Sequence, residues 1–337
     1  MKHLVCGAVL TCALAGLLQL PAQAPGLKKI GTIPVEGVAG EFDHFAIDLA
    51  HQRLYLAAED HKTVEVFDLA TKKHVGSIAL FGRPHGLVFP PGSSNLIVAD
   101  GNDGAVKFID LDGPKVSSQI KTELRADSVI FDPASLIMFV TNGGQVAKLD
   151  YSFVTAVNTA SGERITDTKL DSKILEAMAV EKGSSRLFVN EMDKNEVKVI
   201  DWVKNAILAT WPLPAEQPSA MALDQVNHRL FVACRKPGRL VVLDTQLGKA
   251  VTDLPCIGHA DDAFYDAASS RIYVSGGDGA VSVYRQRNPD RYDVEASVET
   301  GPGAKTSLFV PELKELFVAL PASQSRPAEV LIFSTAE

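Results

Sequence analysis

Histidines, carboxylates and cations recur in this sequence at the spacing of one repeat. Asp43, His85, Asp127, Glu176, Ser219, Asp261 and Lys305 follow one another at steps of roughly 42 residues. His44, Ser128 and Asp262 stand one residue further on, and Glu41, Arg83, Arg125 and His259 two residues back. Three of the eight histidines therefore belong to the set. Imidazole nitrogen and carboxylate oxygen together suit zinc, manganese or iron. His44, His85 and His259, with Asp43 or Asp261, are thus candidate ligands of a divalent metal. A second chemistry is general-base attack on a lactone or an acidic C–H. His85 or Glu176 would be the base, and Arg83 or Arg125 would hold the developing oxyanion. A third reading needs no reaction: Asp43, His44, His85, Asp127, Glu176, Asp261, Asp262 and Lys305 line a mouth that binds a small molecule or a protein partner. The plainest reading is a wet, polar channel in which Asp43 and Asp127 pair with Arg83, Arg125 or Lys305. Converging carboxylates repel one another, so each reading must supply a cation, a basic ligand or a shared proton.

Residues so far apart in sequence meet only if a repeat folds back on an axis. The repeat is explicit. HQRLYLAA, SSNLIVAD, ASLIMFVTN, SSRLFVNE, NHRLFVAC, SSRIYVSG and LKELFVAL are seven versions of one run, and the run after it often closes on aspartate, as at Asp68, Asp110, Asp201 and Asp244. The stretch from Gln217 to Gly258 shows the unit: SAMAL, RLFVAC, RLVVLD and KAVTDL, separated by DQVNH, RKPG and TQLG. Short runs rich in Val, Leu and Phe between Gly, Pro, Asn and Asp read as strands. Four antiparallel strands in about 42 residues make one propeller blade. Seven copies predict an all-β, seven-bladed β-propeller, one domain over residues 25–337. The candidate residues then fall where each blade's innermost strand opens onto the central channel.

The last unit stops after its third strand, Glu329 to Phe333, and Leu27 to Val35 supplies a spare one. The ring is expected to close by placing that spare strand on the last blade, leaving no free edge at the join. Blade three carries a loop longer by several residues, around Gly143 to Tyr151, which either overhangs the channel or is a tolerated surface insertion. GNDG (Gly101 to Gly104) and GGDG (Gly276 to Gly279) resemble phosphate loops but lie between strands, so they read as hairpin turns. Trp202 and Trp211 are expected to fill space between blades. His51, His61, His74 and His228 are expected at the surface.

The first 24 residues read as a secretion signal. Lys2 and His3 precede the uncharged run Leu4 to Leu20, and Ala22-Gln23-Ala24 fits a small-x-small cleavage site. Cys12 follows only a weak lipobox. Cleavage predicts a periplasmic or secreted protein with no membrane span. It leaves 32 of the 33 basic residues against 41 acidic ones, a net charge of about −9. That excludes the basic face that nucleic acid needs. Cys234 and Cys256 would meet an oxidising compartment, either as a disulfide or as two small buried thiols.

The runs RLFVA and RLYLA, with PHGLVF, VADGNDGAVKFID and RIYVSGGDGAV, resemble the YVTN-type, YncE-like β-propellers of bacteria. FDHFAID, AMALDQVNHRLFVACR, HADDAFYDAASSRIYVSGG and TSLFVPELKELFVA are similar to a secreted subgroup of them. The resemblance covers nearly all of the chain after the signal. It implies the propeller fold and no one activity, because relatives include binding proteins, lactonases, lyases and cofactor-bearing dehydrogenase subunits. No CxxCH, GxSxG, CxxC or HExxH motif is present. The functional expectation is an extracytoplasmic binding or scaffold protein that uses the polar channel mouth. The alternative is a metal-assisted or acid/base lyase or lactonase at the same mouth.

Overall fold

Alternation of apolar residues along short strands sends successive side chains to opposite faces of a sheet. When both faces are apolar, each sheet must be covered on both sides by another. A computed structural model describes residues 26–336 and shows how this is satisfied. The proposed signal segment, with Cys6 and Cys12, lies outside the described residues. The described residues form 28 strands in seven four-stranded antiparallel sheets, with no helix. The innermost strands of successive blades pack against one another around the ring, the first against the last included.

The second strand of each blade carries the alternation. In blade one (Arg53–Ala58), Leu54 and Leu56 face blade seven with Phe317 and Ile332, while Tyr55 and Ala57 face blade two with Leu96 and Val98. The same division recurs around the ring, giving seven apolar clusters, one at each blade-to-blade junction. A fully buried Phe, such as Phe188, Phe231 or Phe317, contributes roughly 1.5–3 kcal/mol by leaving water. Trp202 meets Phe139 edge-on at 5.3 Å and Trp211 lies 5.5 Å from Phe188, so both fill space between elements.

The aspartates that end strands close the turns. Asp68 accepts from the Thr71 N–H at 2.8 Å, Asp201 from Lys204 at 3.0 Å, and Asp244 from Gln246 and Leu247 at 2.8 and 2.9 Å. These side chains substitute for a backbone acceptor in the turn. The repeated aspartate is therefore a folding signal.

Ring closure follows the expectation. The strand Lys28–Val35 pairs antiparallel with Ala328–Ser334 and completes blade seven, from Lys28 opposite Ser334 to Val35 opposite Ala328. GNDG and GGDG are hairpin turns between the second and third strands of blades two and six.

Of the two readings of Cys234 and Cys256, the structure has the second: both are free thiols, Cys234 buried and Cys256 partly so. The alternation gives the reason. Cys234 shares its face with Leu230 and Val232 and packs toward blade four, whereas Cys256 packs toward blade six. The two thiols lie on opposite faces of blade five. His74 is also less exposed than expected, because its Nε2 lies 2.7 Å from the buried Glu65 carboxylate.

Candidate functional site

The chain reaches the channel mouth just before or at the start of each innermost strand. Asp43 and His44 precede Phe45–Asp48, His85 lies in Pro84–Val88, Asp127 precedes Val129–Asp132, and Glu176 lies in Leu175–Val180. Ser219 lies in Glu216–Asp224, Asp261 in Ala260–Asp266, and Lys305 precedes Ser307–Val310. All seven line one cavity of about 270 Å³, with His44, Arg83 and Arg125. Backbone bonds fix these segments: Asp43 N–H to Ala57 O at 2.9 Å, and Asp127 N–H to Thr141 O at 3.0 Å. Gly86 donates to the Asp127 carbonyl of the next blade at 3.2 Å, and a Cβ there would stand 2.5 Å from that oxygen. Glycine thus sets His85 close to Asp127.

His85 is the most crowded group. Its Nδ1 lies 2.6 Å from Asp43 Oδ2, 3.2 Å from Glu59 Oε2 and 3.6 Å from Asp127 Oδ1. Burial alone would lower its pKa, but the Asp127 charge and the bonds to Asp43 and Glu59 raise it to about 10. Asp43 also lies 3.4 Å from His44, whose other ring nitrogen is 3.4 Å from Asp262. Burial would raise Asp43, but the His44 and His85 charges and the His85 hydrogen bond hold it well below the usual carboxylate range. His44, despite burial, is held well above an ordinary histidine by Asp43 and Asp262.

Arginine and lysine complete the wall. Arg125 contacts Asp127 at 3.0 Å and Glu176 at 2.9 Å. Arg235 meets Asp261 at 2.6 Å, and Lys305 meets Glu41 at 3.1 Å and Asp261 at 3.6 Å. Burial raises Glu176 to about 7, opposed by the Arg125 charge and assisted by the charges of Asp127 and Asp261. Burial likewise raises Asp261 to about 6, against the Lys305 charge.

The expected pairing of Asp127 with Arg125 is present, but Asp43 is served by two histidines where an arginine or lysine was expected. His259 stands apart from His44 and His85. Its backbone is left-handed (φ 52°), its side chain is 74% exposed, and its Nδ1 lies 2.7 Å from Asp278 on the rim. The three-histidine metal set is therefore not assembled. As a neutral-pH general base His85 is also poorly suited, since it is held as the imidazolium, whereas Glu176 lies in the right range.

Sequence reasoning missed Glu59, just after the second strand of blade one, and Arg235, near the end of the second strand of blade five (Arg229–Lys236); both line the cavity. A signal existed: the corresponding position is glycine at Gly101, Gly143 and Gly277, so charge there is a departure. The long blade-three loop reaches the cavity through Val146. It is held by Gly144 N–H to Tyr151 O at 2.9 Å and Gln145 N–H to Lys173 O at 3.0 Å.

No protein-family model and no curated protein matches this chain. Solved structures do. A chain in the crystal structure of a mitotic checkpoint complex matches with a TM-score of 0.76 at 12% identity, covering 100% of both chains. A chain of hydrazine synthase from Kuenenia stuttgartiensis matches with a TM-score of 0.64 at 16% identity, over 73% of this chain and 84% of that one. At such identities the likeness establishes the seven-bladed propeller and nothing about activity. Among the described residues, no helix is long and apolar enough to cross a membrane.

Proposed function

We propose that this is an extracytoplasmic binding protein of the YVTN-type, YncE-like kind, which takes a small charged ligand at the channel mouth. The observation that carries the reading is the convergence of all seven blades on one charged cavity under the Val146 loop. The repeat runs support the family placement, and the signal-like first 24 residues support the location. Propellers are common platforms for binding, so the fold agrees with the reading without selecting it. A ligand that carries both signs suits a wall that holds Arg235 and Lys305 together with Asp43 and Glu59. The test is a thermal-shift screen of amino acids, polyamines, dicarboxylates and sugar acids, followed by calorimetry on Lys305→Met and Arg235→Met. A hit weakened at least tenfold by either change supports the reading. A panel without hits, or a hit indifferent to both changes, overturns it.

Glu176 favours a second reading, acid/base chemistry on a lactone or an acidic C–H. A carboxyl that titrates near neutrality beside the Arg125 guanidinium can move a proton while a cation holds developing negative charge. Turnover of a lactone panel that is abolished in Glu176→Gln would move this reading ahead.

A further inference from the structure

At the corner of the mouth between blades one and two, three carboxylates meet one imidazole, while His44 also reaches Asp43 at 3.4 Å and Arg125 reaches Asp127 at 3.0 Å. One Nδ1–H of His85 faces carboxylate oxygens of Asp43, Glu59 and Asp127 at 2.6, 3.2 and 3.6 Å. A single N–H satisfies one of them well. Glu59 is only 6% exposed, so water serves it poorly, and Arg83 reaches just its other oxygen, at 3.2 Å. The imidazole is also fixed in aim. A Cβ at Gly101 would stand 2.7 Å from His85 Cδ2 and 2.8 Å from Nε2. The far edge of the ring therefore lies against bare backbone, and Nδ1 is turned to the carboxylates.

We propose that Asp43, Glu59 and His85 bind a divalent first-row transition ion, zinc or manganese, at the channel mouth. Their ligand atoms all lie within 4.8 Å of one another. Bonds of about 2.1 Å around a tetrahedral ion put neighbouring ligand atoms about 3.4 Å apart. Glu59 already stands near that separation from Nδ1, and Asp43 has to retract by less than about 1 Å. One imidazole with two carboxylates is a donor set these ions accept. Asp127, paired with Arg125 at 3.0 Å, stays outside the set, and the three ligands line the cavity. The ion takes the place of the imidazole proton, which leaves to solvent. His44 and Asp262 stay outside the set and hold Asp43 from behind, as an outer partner orients a ligand.

This site deepens the channel-mouth reading and rests on it, but the two fail separately. The experiment is titration of the chelator-treated protein, lacking residues 1–24, with zinc, manganese and cobalt, read by calorimetry and by the visible absorption of cobalt. The expected result is about one equivalent bound. Binding should fall at least tenfold in Glu59→Gln and Asp43→Asn, and in His85→Gln the cobalt bands should be lost. Lys305→Met, outside the three-ligand set, should keep the ion while losing the small ligand. Denaturant unfolding of each variant without metal shows that a lost signal is not lost folding. Absence of binding by the wild type for all three ions overturns the site, as does binding indifferent to Glu59→Gln. In either case capture of a charged ligand through Lys305 would still stand by itself.

Discussion

Two regions of this propeller bury charge, and they do so differently. In blade two, Lys107 lies 2.9 Å from Asp100, reaches Asp103, and donates to the Leu80 carbonyl at 2.9 Å. Asp100 in turn accepts the N–H groups of Gly82 and Arg83 at 2.8 and 2.9 Å. Burial alone would raise Asp100, but the Lys107 bond and the Arg83 and Gly82 N–H groups pull it below its ordinary value. Every donor there has an acceptor, and the arrangement fixes the backbone that carries His85. At the mouth, Asp43, Glu59 and Asp127 crowd the one His85 N–H, and His44, Arg83 and Arg125 reach them at 3.4, 3.2 and 3.0 Å. A buried ion pair is tolerable when its lone pairs and protons are all satisfied, as in blade two. Such crowding of carboxylates beside an open cavity is what a cation or a ligand would complete. The contrast separates charge that builds the fold from charge available for binding.

The comparison can be broken at its strongest point. Lys107→Met strands the Asp100 carboxylate in the interior and should cost about 3–5 kcal/mol in urea unfolding. If the loss is under 1 kcal/mol, the blade-two pair is not the structural element described here. Gly101→Ala should cost less, about 1–3 kcal/mol, because a methyl there meets the His85 ring. It should also disturb the mouth, lowering cobalt binding while the Lys107 pair stays intact.

Titration sharpens the difference further. Glu176 and Asp261 have folded pKa values raised above their unfolded ones, to about 7 and about 6. Their contribution is fully present below the unfolded values and is lost as pH rises through the folded ones. Stability should therefore fall between about pH 4.5 and pH 7.5. Glu176→Gln should flatten that fall by on the order of 1–3 kcal/mol. Equal slopes for wild type and variant in urea titrations at pH 5 and pH 8 would show that Glu176 is an ordinary carboxylate. The smallest effect is expected from the free thiols. Reductant should shift the unfolding midpoint by less than about 0.5 kcal/mol in free energy, and two cysteines should react with a thiol reagent in the unfolded protein lacking residues 1–24.

Much of this was legible because it is local. Strand, turn and face are set by residues two to four positions apart, so RLFVAC or VKVID declares its place in a blade. The spare strand Leu27 to Val35 could be assigned to blade seven because a missing fourth strand leaves one vacancy. Counting back from the repeat collected Asp43 through Lys305 at one mouth, since a fixed period becomes a fixed rotation about the axis. Glu59 and Arg235 escaped because the counting followed the innermost strands, and these two enter from the far ends of the second strands.

The sequence by itself determined the number of blades, the order of their strands, the closure of the ring and the height at which the polar residues stand. Apolar alternation and turn chemistry act over a few residues and repeat without loss. Only the tertiary structure decided that Asp43 is served by His44 and His85, that Arg125 bridges Asp127 and Glu176, and that His259 turns out to Asp278. It also decided that Cys234 and Cys256 face opposite neighbours. These partners come from different blades or opposite faces, and their pairing depends on side-chain reach and backbone twist at the axis. A repeat period carries no information about either.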